Sequence, residues 1–170
     1  GTIDNDISCT DYTIGFDTAL NTAMEAIDKL RDTSTSHHRC SVIEVMGAKA
    51  GYIAVEVAIA TGAEVVLVPE IPFDMEKDVI DVIKRGKSVG KKHHIVVVAE
   101  GVSIKSSEIA KIITEKTGIE SRATVLGHIQ RGGSPTIRDR VMATRMGAKA
   151  VDLIDEGKSN RVVVVKNSEI

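Results

Sequence analysis

Two carboxylates, Asp4 and Asp6, bracket an amide in the opening stretch Gly1-Thr2-Ile3-Asp4-Asn5-Asp6. Asp and Asn side chains hydrogen-bond nearby backbone, so they favour loops over helix or strand interiors. The spacing predicts an acidic loop that follows a strand. A carboxylate fixed on such a loop can take a proton from a hydroxyl, or help hold a metal through water. The same residues also fit a solvated acidic turn. A second candidate lies between Gly127 and Gly133, where His128 and Arg131 sit among three glycines. Glycine lets backbone approach a ligand closely. The arginine fork matches phosphate oxygens, and histidine can add a donor. Phosphate binding and a flexible surface loop with incidental charge both fit. Glu100, followed by Gly101 at the end of an apolar run, is suited either to accept bonds from sugar hydroxyls or to face solvent. Arg39 and Arg122 each stand beside an apolar run and by themselves read as surface charges.

These residues need elements to place them. Phe16, Leu20, Ala23, Ile27 and Leu30 recur at helical spacing, which predicts a helix from about Thr13 to Arg31, ended by the polar stretch Asp32–His38. Cys40–Met46 reads as a strand stopped by Gly47, and 50–60 as a second helix closed by Gly62. Glu64–Val68 is a short strand stopped by Pro69. A third helix runs from Met75 to about Ser88, with Val79, Val82 and Ile83 inward. Ile95–Ala99 is a strand, Ser106–Thr117 a helix with Gly118 at C′, and Arg122–Leu126 a strand. Pro135 opens a helix to about Glu156, with Ile137, Val141, Ala148, Val151 and Ile154 on one side, and Val162–Val165 is a last strand. Alternating strands and helices predict an α/β fold: a mostly parallel sheet with helices on both faces. Ligands in such sheets sit beyond the carboxyl ends of strands. Met46-Gly47, Glu100-Gly101 and the loop after Leu126 are all strand exits, so they are expected to converge on one crevice.

Composition narrows the class. The 170 residues are 42% hydrophobic, rich in Val, Ile and Ala, with two Tyr, two Phe and no Trp. That suits strands buried on both faces of a parallel sheet. A net charge of -2 gives no field favouring nucleic acid or an anionic membrane. No apolar run approaches a membrane span. Cys9 and Cys40 show no metal-ligand spacing and read as free thiols in a reducing cytosol, so a cytoplasmic location is expected. The chain begins without Met and inside a motif, which predicts a piece of a longer protein.

Three stretches together resemble the 6-phosphofructokinase family: Gly-Thr-Ile-Asp-Asn-Asp, Glu44-Val45-Met46-Gly47, and the fourteen residues from Arg122 to Pro135. They occur in the family's order, and the resemblance covers essentially the whole chain but only about the second half of the family's chain. It implies transfer of the γ-phosphoryl group of ATP, with Mg2+, to the 1-hydroxyl of fructose 6-phosphate. Asp4 matches the general base. Thr2 would donate a hydrogen bond near the transferring group, and Asp6 would support the loop or the metal shell. His128 and Arg131 would hold the sugar 6-phosphate, and Glu100, Met46 and Gly47 would contact the sugar. Arg39 and Arg122 would reach a neighbouring subunit's substrate in a homotetramer. A small residue at Gly1 accompanies ATP use, where lysine accompanies pyrophosphate use. Arg31, Glu64 and Lys91 match an allosteric site for a nucleotide or phosphoenolpyruvate. Residues of about 16–130 would form the sugar-phosphate lobe, and about 1–15 with 131–156 would be pieces of the nucleotide lobe.

Two departures stand out. Ala48 occupies a position where many ATP-dependent members carry arginine, and losing that cation would remove transition-state stabilisation. Val89 stands where a second effector-site lysine is common. No glycine-rich nucleotide loop occurs in the sequence, so this chain alone is expected to be inactive. A pyrophosphate-dependent enzyme and a non-catalytic sugar-phosphate-binding subunit are the alternatives.

Overall fold

Four parallel strands set the frame in a computed structural model that describes all 170 residues. They are β1 (Cys40–Val45), β2 (Val65–Leu67), β3 (His94–Ala99) and β4 (Ser121–Val125), in the spatial order β2-β3-β1-β4. The register runs from Cys40 opposite His94 to Val45 opposite Ala99, and from Cys40 opposite Ser121 to Glu44 opposite Val125. Every residue of β3 is buried, as both faces of a parallel sheet require.

Side chains alternate between two cores. On one face Ile43, Val45, Ile95, Val97 and Ala99 pack against α1 (Phe16–His37) and α2 (Tyr52–Thr61). On the other, Val42, Val65, Leu67, Val96 and Val98 pack against α3 (Asp81–Ser88) and α4 (Ser106–Thr117). The expected α/β architecture is therefore present. No helix is long and apolar enough to cross a membrane.

Four local expectations differ from the structure. The first helix starts later, at Phe16, and continues through the polar stretch to His37. Buried Ser34 ties this part to the sheet through Ser41 at 2.6 Å, and the Thr35 and Ser36 hydroxyls turn back onto carbonyls one turn earlier. The third helix has a π-helical first part, Met75–Ile80, capped by Asp74, whose carboxylate accepts from the amides of Glu76 and Lys77.

The last helix, α5 (Ile137–Asp155), turns its predicted apolar side outward. Ile137 is 82% exposed and Ile154 70%, and Val141, Ala148 and Val151 are exposed too. Its inner side holds Asp139, Met142 and Met146. Finally, Val162–Val165 forms no strand. Val165 instead lies beside a loop, with its amide bonded to Thr10 Oγ1 and its carbonyl accepting from the amide of Asp11.

Candidate active site

The exits of β1, β3 and β4 are knitted together at the carboxyl edge of the sheet. The Glu100 amide donates to the Val45 carbonyl at 3.0 Å, and the Leu126 amide donates to the Glu44 carbonyl at 3.0 Å. The Glu100 carboxylate accepts from the amides of Gly47 (3.1 Å) and Ala48 (2.6 Å). The Met46 amide donates to Gln130 Oε1 at 2.8 Å. Met46, Gly47, Glu100 and the 127–131 turn therefore meet as the strand-exit reading expects. Gly101 is required by this closeness, since a Cβ there would stand 2.8 Å from the Ala48 carbonyl oxygen. Ala48 itself holds a left-handed backbone with φ 54°, unusual for a residue with a side chain.

After Leu126 the predicted loop is a 3-10 turn over Gly127–Arg131. It exposes His128 and Arg131 and buries Gln130. The buried amide group of Gln130 thus ties the turn to the exit of β1, while its Nε2 has no protein partner.

The Gly1–Asp6 stretch joins this edge from outside the four-stranded sheet. The Thr2 amide donates to the Ile14 carbonyl at 2.9 Å, and Thr2 pairs with Gly15 in a parallel bridge. The Asp4 amide donates to Thr2 Oγ1 at 3.2 Å, and the Asp4 carbonyl accepts from Thr13 Oγ1 at 3.0 Å. These bonds use backbone groups and leave the half-buried Asp4 carboxylate without a partner. A cavity of about 400 Å³ opens there, lined by Gly1, Thr2, Ile3, Asp4, Ile14, Gly15 and Arg131. It brings a carboxylate, a hydroxyl and a guanidinium to one space. Such a set can take a proton, donate a hydrogen bond and neutralise phosphate charge. Asp6 faces a different cavity with Asn5, Ser8, Asp11 and Lys166. No group of three or more His, Cys, Asp or Glu side chains gathers to hold a metal ion.

Other predicted site residues lie at the opposite, amino edge of the sheet. Arg39 and Arg122 share one partner, Glu120: Arg39 Nε is 2.8 Å from its Oε2, and Arg122 donates to its Oε1 at 3.0 and 3.1 Å. The two guanidinium groups hold the Glu120 carboxyl below its usual range. Glu64 pairs with Lys91 and accepts from the Ile95 amide at 2.7 Å, while Arg31 donates to the Thr61 carbonyl. Within one chain, none of these five charged side chains is brought to the Asp4 cavity.

Sequence reasoning missed Asp139 and the role of Gln130. Asp139 is 1% exposed and is the best-connected carboxylate of the molecule. Its only sequence signal is an acid three residues after Thr136, the cap of α5, whose hydroxyl accepts from the Asp139 amide.

The family model described as Phosphofructokinase matches residues 1–154. The chain is 60% identical over all its length to ATP-dependent 6-phosphofructokinase 1 of Clostridium perfringens, of which it covers 53%. It is 59% identical to the ATP-dependent 6-phosphofructokinase of Brevibacillus brevis, again covering 53%. A solved phosphofructokinase from Saccharomyces cerevisiae superimposes with a TM-score of 0.90 at 37% identity, over 99% of this chain and 24% of that one. With the parallel sheet and its helices already defining an α/β protein, the chain belongs to the phosphofructokinase family. It spans about half the length of the bacterial relatives it matches.

Proposed function

We propose that these residues supply the sugar-phosphate side and the base of an ATP-dependent 6-phosphofructokinase, working within a longer protein. The observation that carries this reading is the single cavity shared by Gly1, Thr2, Asp4 and Arg131. Asp4 takes the proton from the 1-hydroxyl of fructose 6-phosphate. That oxygen bonds to the γ-phosphorus of ATP, the bond to the bridging oxygen breaks, and ADP leaves. Phosphoryl transfer depends mostly on positioning and charge neutralisation, so a base with cationic clamps meets its needs.

Thr2 donates to the transferring group, and Arg131 with His128 holds the 6-phosphate. Glu100, Met46 and Gly47 face the sugar. The tie between the Glu100 carboxylate and the Gly47 and Ala48 amides keeps the sugar-facing turn in shape before substrate arrives. Gly1 leaves room for the α-phosphate of ATP and favours ATP over pyrophosphate. Magnesium would neutralise phosphate charge when bound. Asp4 and Asp6 face separate cavities and do not form a carboxylate pair for it, so these residues alone do not make its site.

Arg39 and Arg122 serve a neighbouring subunit in a homotetramer, in keeping with their placement at the far edge. Arg31, Glu64 and Lys91 belong to an effector site for a nucleotide or phosphoenolpyruvate. Residues 16–130 form the sugar-phosphate lobe, 1–15 and 131–156 are pieces of the nucleotide lobe, and the protein works in the cytoplasm.

The test is a coupled assay for fructose 1,6-bisphosphate on the full-length protein, with ATP and then pyrophosphate as donor. Turnover with ATP is expected, and Asp4→Asn should lower kcat by about 10²–10⁴-fold while fructose 6-phosphate still binds. Turnover with pyrophosphate alone would overturn the donor assignment. Sugar-phosphate binding without turnover from either donor would point to a non-catalytic subunit.

A further inference from the structure

We infer that Asp139 is a positioning residue that sets the base Asp4 against the bound sugar, an inference that rests on the proposed function. Its carboxylate is buried and gathers four donors from one short segment. Oδ1 accepts from the Tyr12 hydroxyl and from the Gly15 amide at 3.0 Å. Oδ2 accepts from the Thr18 hydroxyl and from the Thr18 amide at 2.9 Å. A fifth bond closes the joint from the other side, where the Thr136 amide donates to Thr18 Oγ1 at 3.2 Å. Arg138, next to Asp139, lies over the Tyr12 ring at 4.6 Å. One side chain at the start of α5 thus fixes the whole Tyr12–Thr18 segment.

That segment is the template for the catalytic strip. Gly15 holds φ 115° as the N-cap of α1, and a Cβ there would stand 3.1 Å from the Thr2 carbonyl oxygen. The Thr2 amide bonds to Ile14, and Thr13 bonds to both the Asp4 carbonyl and Asn5 Oδ1. Displacing Gly15 therefore displaces Thr2 and Asp4. The phosphate-holding turn is anchored separately, by Gln130 on the Met46 amide. Asp139 and Gln130 accordingly control different quantities. Asp139 governs where the base stands, and Gln130 governs how the sugar phosphate is held.

The experiment compares D139N, Y12F, Q130L, D4N and the double variant D4N/D139N in the full-length protein, with wild type as the control for the proposed function. An amide at position 139 cannot accept from donors on both sides. D139N is expected to lower kcat by about 10²-fold, the scale of a 1 Å misplacement of a catalytic group, with KM for fructose 6-phosphate within threefold of wild type. Y12F removes one donor and should lower kcat severalfold with the same unchanged KM. Q130L should instead raise KM. If Asp139 acts through Asp4, the double variant should turn over no more slowly than D4N alone, within threefold.

The inference is overturned if D139N keeps wild-type kcat, if its loss lies chiefly in KM, or if the two losses multiply in the double variant. Should D139N fail to fold by its melting curve, Y12F decides, and an unchanged kcat there overturns the inference. An inactive wild type that binds no sugar phosphate would sink the proposed function instead.

Discussion

Glu100 and Gln130 at one edge of the sheet and Arg39 and Arg122 at the other are held in different ways. At the carboxyl edge, Glu100 and Gln130 bond to backbone amides of another strand exit. At the amino edge, Arg39 and Arg122 bond to a single exposed carboxylate, Glu120. Backbone-anchored polar groups can move only if the strand exits move. Exposed ion pairs are screened and exchange partners readily. The carboxyl edge is thus a fixed template, while Arg39 and Arg122 meet through one exposed carboxylate.

Breaking the template should show the largest effects. Gly101→Ala forces a Cβ to within 2.8 Å of the Ala48 carbonyl and 3.2 Å of Lys49 Cα. Both neighbours are backbone, so the strand exit must shift. We expect a loss of about 1–3 kcal/mol in urea unfolding, together with weaker fructose 6-phosphate binding. Wild-type stability and binding in that variant would show that the carboxyl edge is not rigid.

Next in size is Gln130→Leu, which leaves the buried Met46 amide unpaired. A cost of about 1–2 kcal/mol is expected in the same unfolding experiment, moderated because Gln130 Nε2 already lacks a partner.

Acid titration distinguishes the buried carboxylate from the exposed one. Burial pushes the Asp139 carboxyl up, but the donors from Gly15, Thr18 and Tyr12 outweigh it and hold the group below its ordinary 3.8. A depressed carboxylate stabilises the fold above its unfolded value and loses that contribution as pH falls through the folded one. The stability gap between wild type and Asp139→Asn should therefore be constant above about pH 4 and narrow below it, read from melting curves across pH 2–7. Glu120 is depressed too, by Arg39 and then Arg122, below its ordinary 4.5. Because it is exposed, Glu120→Gln should leave the melting temperature nearly unchanged across the same range. A large shift there would mean the amino edge is as firmly built as the carboxyl edge.

The carboxyl edge was largely legible in the sequence. Strand exits are marked by glycines after apolar runs, as at Met46-Gly47 and Glu100-Gly101, and local signals of that kind survive folding unchanged. What escaped depends on contacts made across the fold. Asp139 is buried by Tyr12, Gly15 and Thr18, more than 120 positions away, and its own neighbours Arg138 and Arg140 suggest a solvated helix start. The extension of α1 to His37 is accompanied by the buried Ser34–Ser41 contact, which no helical periodicity reveals. The stripe of Ile137, Val141, Val151 and Ile154 read correctly as one side of a helix. Its periodicity could not say that this side faces away from the sheet.

Strand order has a consequence for the way the chain is made. Of these four strands β1 is made first, yet it is central, and its partners come late: Cys40 pairs with His94 and with Ser121. At roughly 5–20 residues per second, about fifty further residues take some 3–10 s to synthesise. For that interval an apolar strand, Cys40–Val45, has no partner. Helices α1 and α2, which precede and follow it in the chain and share the core of Ile43 and Val45, are placed to cover it early. Parallel topology therefore makes these two flanking helices a temporary cover for the strand, and slows final pairing relative to a protein built from local contacts.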